Sequence, residues 1–151
     1  MTNATKEAYL PAGLPAPAPS SEGLATEFWD GTRKHELWVQ RCTKCQTWQW
    51  GPECCCHNCN SFDLTYEQVA PTGKIFSWER AWYPVHPALK DKLPYLTVLI
   101  ELPQAGNVRM VGNLLGDPMQ QVNIGSDVEA VFEDHDDANP PYTLVQWIVK
   151  S

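Results

Sequence analysis

No stretch of this 151-residue chain approaches the roughly 18 apolar residues that a membrane-spanning helix needs. Its first residues, MTNATKEAYLPAGLPAPAPSSEG, contain no apolar h-region and no cleavage pattern. The expected compartment is therefore the cytoplasm. Concentrated positive charge is also missing. Eleven Lys and Arg stand against eighteen Asp and Glu, and only Arg33 and Lys34 are adjacent. A net charge of −7 repels nucleic acid and anionic membrane surfaces. There is no Ser-His-Asp order, no credible carboxylate pair and no glycine loop to cradle a phosphate. Thirteen prolines spread along the chain exclude long helices.

Cysteine is absent everywhere except between Cys42 and Cys59, where all six occur. Cys42 and Cys45 form one C-x-x-C pair, and Cys56 and Cys59 form another. Each spacing turns the chain into a knuckle with two thiolates on one face, and two knuckles complete a tetrahedron. A reducing cytosol favours metal ligation over disulfides. The expected cofactor is structural Zn2+, with iron in a rubredoxin-like site as the chemical alternative. Four thiolates leave no position for substrate or activated water. Cys54 and Cys55 are left over. A ligand set using Cys55 gives an uneven C-x3-C knuckle, so both read as incidental thiols, and His57 reads as a bystander. An independent thiol or metal enzyme built on Cys54 or Cys55 lacks an oriented base and an oxyanion site.

Around this cluster the chain divides into three parts. Residues 1–21 form a flexible Pro/Ala tail of extended chain, either inert or lying along a partner. Residues 22–63 hold a short helix and the zinc ribbon. Ser21 is the expected N-cap and Gly31 the expected stop. The adjacent Phe28 and Trp29 cannot both face one small core. Leu37–Val39 and Trp48–Trp50 are the ribbon's opposing strands. Residues 64–151 hold five strands, at 73–82, 95–102, 108–115, 127–132 and 142–149. Strict alternation in the first sets Ile75, Ser77 and Glu79 against Phe76, Trp78 and Arg80, and Gly112 marks a bulge or bend in the third. The acidic run 133–137 reads as a solvated turn. The fold class is mainly β: a short helix and zinc ribbon, then a five-stranded OB-fold barrel, with a sandwich fragment as the alternative. The long segment from Tyr83 to Pro94 leaves Trp82 at the barrel position that OB-folds commonly use for ligands.

The order of motifs carries a resemblance. Phe28-Trp29 is followed by Arg41-Cys42-x-x-Cys45 and Cys56-x-x-Cys59-Asn60-Ser61. Next come Gly73-Lys74-Ile75-Phe76-Ser77 and Pro94-Tyr95, and finally Val111-Gly112-Asn113-Leu114 and Ile124-Gly125-x-x-Val128. Together they resemble the OB-fold acyl-CoA-associated family, formerly domain of unknown function 35, which has a rubredoxin-like zinc ribbon. His57 and Asn60 stand where that family usually has proline and glycine.

The resemblance implies a non-catalytic accessory subunit. Its partner would be a thiolase-like or lipid-transfer-protein-like enzyme, in a heterotetramer of two plus two. Such partners act on acyl-CoA thioesters, and a steroid side-chain-cleaving aldolase is the favoured setting. The small subunit would help shape the acyl-CoA channel. The surface residues expected to meet partner or acyl-CoA are Phe28, Trp29, Trp82, Tyr83 and His86. The competing reading is a single-stranded nucleic-acid-binding OB-fold protein that stacks bases on Trp78, Trp82 and Tyr83, against which the acidic charge argues.

Overall fold

The computed structural model describes residues 3–20 and 22–150. It contains β1 (Asn3–Thr5), α1 (Thr26–Thr32), β2 (Leu37–Cys42), β3 (Trp48–Gln49) and β4 (Leu64–Val69). These are followed by β5 (Thr72–Ala81), β6 (Tyr95–Leu102), β7 (Val108–Asn113), β8 (Asp127–His135) and β9 (Tyr142–Val149).

The last five strands form the expected OB barrel. β5, β6 and β7 follow one another antiparallel, β8 pairs with β9, and the first half of β8 pairs with the start of β5. Closure is a parallel bridge between Leu114 and Trp147, where Leu115 N–H donates to Trp147 C=O at 2.8 Å. Inward residues of β6 alternate with half-exposed ones without a break, so Leu96, Val98, Ile100 and Leu102 are all buried. That is the period-2 signature of a strand with one face on a core.

Two details of the barrel differ from the alternation read in the sequence. β5 slips register between Ile75 and Ser77, so Ile75 is buried, Phe76 bulges outward, and Trp78 returns to the inner side. A bulge of this kind bends the strand and lets it serve two neighbours. Gly112, expected at a bulge, lies in unbroken register opposite Val98. Its missing side chain makes room for Trp147, whose ring would sit 2.8 Å from a Cβ there.

The ribbon is a three-stranded sheet in the order β3-β2-β4. β4 pairs with β2 along its whole length, although the sequence assigns residues from 64 onward to the barrel. Ribbon and barrel share one core, in which Phe28, Leu37, Val39 and Val69 are continuous with Ile100, Phe132 and Trp147. The helix also departs from expectation. Ser21, the expected N-cap, lies outside the described residues. Gly31 does not stop the helix but is buried within it, with the Trp38 ring occupying the place where a Cβ would stand. The chain leaves the helix at His35, in the left-handed region at φ 59°.

The start of the chain is bound to the barrel. β1 pairs in parallel with residues 131–133 of β8, on the edge that β5 leaves free. Tyr9 N–H donates to Glu133 at 3.2 Å, and the Tyr9 hydroxyl accepts from Leu96 N–H at 3.2 Å. The acidic run is likewise ordered structure. Glu133–His135 continues β8, and buried Glu133 accepts from Gln146 at 2.9 Å and meets His135 Nε2 at 2.7 Å. Asp134 and Asp136 bind Arg33, and Asp136 also binds Lys6.

Candidate metal centre and partner surfaces

β2 and β3 meet with Gln40 opposite Gln49 and Arg41 opposite Trp48, and the first knuckle is the turn between them. Gln46 N–H closes on Cys42 C=O at 2.9 Å, and Asn60 N–H closes on Cys56 C=O at 2.9 Å in the second knuckle. The residue after each second cysteine is left-handed, Gln46 at φ 65° and Asn60 at φ 56°. Glycine adopts this conformation freely and asparagine tolerates it, so Asn60 can stand where the family has glycine.

The four predicted ligands come together. Cys42, Cys45, Cys56 and Cys59 place their sulfurs within 4.8 Å of one another. Cys42 and Cys59 sulfurs are 3.7 Å apart, and those of Cys45 and Cys56 are 3.5 Å apart. A zinc tetrathiolate with bonds of about 2.3 Å has edges of about 3.8 Å, which these separations approach. Backbone N–H groups point at the sulfurs, Cys45 N at Cys42 Sγ (3.5 Å) and Asn58 N at Cys56 Sγ (3.4 Å). Hydrogen bonds from Thr47 and then Asn58 pull the Cys45 thiol down to about 5. The Ser61 backbone pulls Cys59 the same way, but burial and the surrounding Cys45, Cys42 and Cys56 sulfurs outweigh it and push Cys59 up to about 12. Thiols so placed oppose one another's ionisation, and a divalent cation relieves that conflict. The donor set fits structural zinc.

Gln40 and Gln49 brace this centre, and sequence reasoning did not assign them a role. Both are buried and joined by a 2.6 Å hydrogen bond. Gln40 holds both the N–H and the C=O of Glu53, each at 3.0 Å. Gln49 donates to Cys55 C=O at 3.3 Å and accepts from His57 N–H at 3.2 Å. The available signal was a glutamine two residues before Cys42, on the face of β2 that otherwise carries Trp38.

The expected surface residues fall in two places. Phe28 is buried, and its ring packs edge-on against Trp29 (5.2 Å) and Trp50 (4.8 Å). These three line a crevice of about 270 Å³ between the helix and the diverging strands β7 and β9. Trp82 and Tyr83 stand 62% and 77% exposed, with Val85 beside them at 78%. Their loop is anchored by buried Leu89 and by His86, whose Nδ1 accepts from Ala88 N–H at 3.2 Å and caps the short turn Pro87–Leu89.

Comparisons with known proteins agree with this architecture. The family model described as ChsH2, rubredoxin-like zinc ribbon domain, matches residues 29–65, and that described as ChsH2, C-terminal OB-fold domain, matches residues 66–133. A solved Ltp2-ChsH2(DUF35) aldolase contains a chain that superposes with a TM-score of 0.72 at 30% identity, covering 87% of this chain and 98% of that one. A DUF35-family protein of unknown function from Sulfolobus solfataricus shares the fold, with a TM-score of 0.54 at 14% identity, over 82% of this chain and 83% of its own. Among curated proteins, a probable enoyl-CoA hydratase alpha subunit of Thermomonospora curvata is 36% identical over 78% of this chain and 35% of its own length. The 3-oxo-4,17-pregnadiene-20-carboxyl-CoA hydratase alpha subunit of Mycobacterium tuberculosis is 29% identical over 92% of this chain and 45% of its own. The chain thus spans less than half the length of these curated relatives. It belongs to the ChsH2 family of proteins that join a rubredoxin-like zinc ribbon to an OB-fold.

Proposed function

We propose that this chain is a non-catalytic accessory subunit of an acyl-CoA-processing complex. Its partner is a thiolase-fold, lipid-transfer-protein-like enzyme, and the favoured reaction is retro-aldol cleavage of a steroid side-chain CoA thioester. The complex is a heterotetramer of two plus two, and acyl-CoA binds where the subunits meet. The main support is the near-complete overlap with the ChsH2 chain of a solved aldolase. The metal centre adds to it, because four thiolates fill the coordination sphere and leave the zinc a structural role.

Trp82 and Tyr83 form the part of the surface best suited to a partner. Large exposed aromatics on an anchored loop are typical binding anchors, since their burial releases apolar area at little entropic cost. Phe28 and Trp29 act differently, as walls of the crevice beside β7 and β9, and His86 orders the loop rather than touching substrate. The nucleic-acid alternative is disfavoured on the barrel surface as well as by net charge. Arg80 is spent on the carbonyls of Pro118 and Gln120, Arg109 on Glu101, and Lys74 on Asp127. Few cations remain there for phosphates.

Co-expression with the lipid-transfer-protein-like enzyme of the same genome should yield one hetero-oligomer by size exclusion with light scattering. Two separate, monodisperse proteins would reject the reading.

A further inference from the structure

The proline-rich start of the chain touches three parts of the barrel in succession. β1 lies along the edge of β8, and Lys6 Nζ meets Asp136 at 2.9 Å. Tyr9 comes next, half-buried together with Leu10 and Pro11. Its N–H donates to Glu133 on β8 and its hydroxyl accepts from Leu96 N–H on β6, each at 3.2 Å. Lys92 Nζ sits 4.6 Å from the centre of the Tyr9 ring. At Gly13 an added Cβ would lie 3.5 Å from Ala88 Cβ, so the chain here passes against the short turn Pro87–Leu89.

Ala88 and Lys92 belong to the loop from Tyr83 to Pro94, which carries the exposed Tyr83 and Val85 directly after Trp82. Hydrogen bonds within this loop are local. Leu89 N–H donates to His86 C=O at 2.9 Å, and Lys92 N–H donates to Leu89 C=O at 3.0 Å. They shape the loop without tying it to the sheet. Tyr9 supplies such a tie at the loop's far end. It holds the N–H of Leu96, the second residue of β6, and lies under the Lys92 ammonium. Leu96 is buried, so its N–H depends on a protein acceptor of this kind. Prolines at 11, 15, 17 and 19 restrict the unbound chain and lower the entropy that docking it costs.

We propose that residues 3–14 are a strap that positions the loop from Tyr83 to Pro94 for the partner enzyme, with Tyr9 as the positioning residue. A loop already held in its binding form spares the complex the cost of ordering it. The service to a partner rests on the accessory-subunit reading above. The hold on the loop rests on the contacts of this chain alone.

Backbone amide exchange of the full zinc-loaded chain, measured alone, reads the hold. Titration calorimetry against the lipid-transfer-protein-like enzyme reads its consequence. Tyr9→Ala should speed exchange in the loop by roughly fivefold or more, the factor that one lost hydrogen bond commonly gives. Amides of β6 from Val98 to Leu102 should exchange as in the parent. Tyr9→Phe keeps the ring for Lys92 and loses only the acceptor, so Leu96 N–H should exchange faster while the loop quickens less. Partner affinity should fall severalfold in Tyr9→Ala, with Tyr9→Phe between it and the parent. Unchanged loop exchange in Tyr9→Ala would overturn the proposal. So would an equal rise throughout the barrel, which would make Tyr9 a general support of the fold, or unchanged affinity despite a loosened loop. A parent chain that does not bind the enzyme would instead reject the accessory-subunit reading, while exchange in the isolated chain still decides whether the strap holds the loop.

Discussion

Replacing Gln49 with leucine tests whether the buried glutamine pair supports the metal centre. Leucine nearly preserves the volume, so the change removes hydrogen bonds without opening a cavity. Three contacts disappear: the bond to Gln40 Oε1, the bond to Cys55 C=O, and the one accepted from His57 N–H. At a net value of about 1 kcal/mol each, the loss approaches 3 kcal/mol. Cys55 is half-buried and His57 exposed, so water recovers part of their pairing and the expected cost falls to about 2 kcal/mol. If that cost falls on the metal-loaded state, zinc affinity weakens by about thirtyfold. Competition against a chromophoric chelator at neutral pH measures the affinity, and urea unfolding of the zinc-loaded protein measures stability. Glu53→Ala is the control, because Gln40 holds only the Glu53 backbone, and it should behave as the parent. A Gln49→Leu variant indistinguishable from the parent in both assays would show that the clamp does not support the centre.

Further outcomes follow from the same geometry. Gln46→Gly should hold or modestly raise stability, because glycine suits φ 65°, whereas Gln46→Val should cost about 1–2 kcal/mol in the same urea assay. Lys6 and then Arg33 hold the Asp136 carboxyl below its usual range. A depressed folded pKa contributes stability that is full above the unfolded value and lost as pH falls through the folded one. The melting temperature of Asp136→Asn should therefore lie below the parent's at pH 7 and converge with it as pH falls through the lowered folded value, where the parent carboxylate is protonated too. The double change Trp82→Ala/Tyr83→Ala should leave unfolding of the isolated chain unchanged and weaken partner binding by more than about tenfold, as loss of a hot-spot pair does. Titration calorimetry reads the affinity.

The sequence was most informative where local pattern and tertiary environment agree. β6 and β9 run over the residues expected, since each keeps one apolar face against the core. The ligand set was equally legible, because C-x-x-C spacing is a local constraint that survives any packing. What escaped was held by distant partners. β1 is the plain sequence Asn3-Ala4-Thr5, a strand only because β8 offers it an open edge. β4 lacks a clean apolar face, being half-exposed along most of its length, and is defined by its pairing with β2. The bulge at Phe76 cannot be read from alternation, although bulky apolar residues at 75, 76 and 78 break the period there. Gly31 and Gly112 look like punctuation in the sequence but are contact points for Trp38 and Trp147. The glutamine clamp is invisible until the cross-strand register sets Gln40 opposite Gln49.

The central claim is that this chain completes an enzyme whose catalytic groups lie elsewhere. It is tested most directly by titrating the zinc-loaded chain into a fixed amount of the proposed lipid-transfer-protein-like partner and following cleavage of a steroid side-chain CoA thioester. Turnover should rise with added chain and saturate at one chain per partner protomer, with none from the chain alone. Turnover by the isolated chain, or a partner whose rate ignores its addition, would contradict the account.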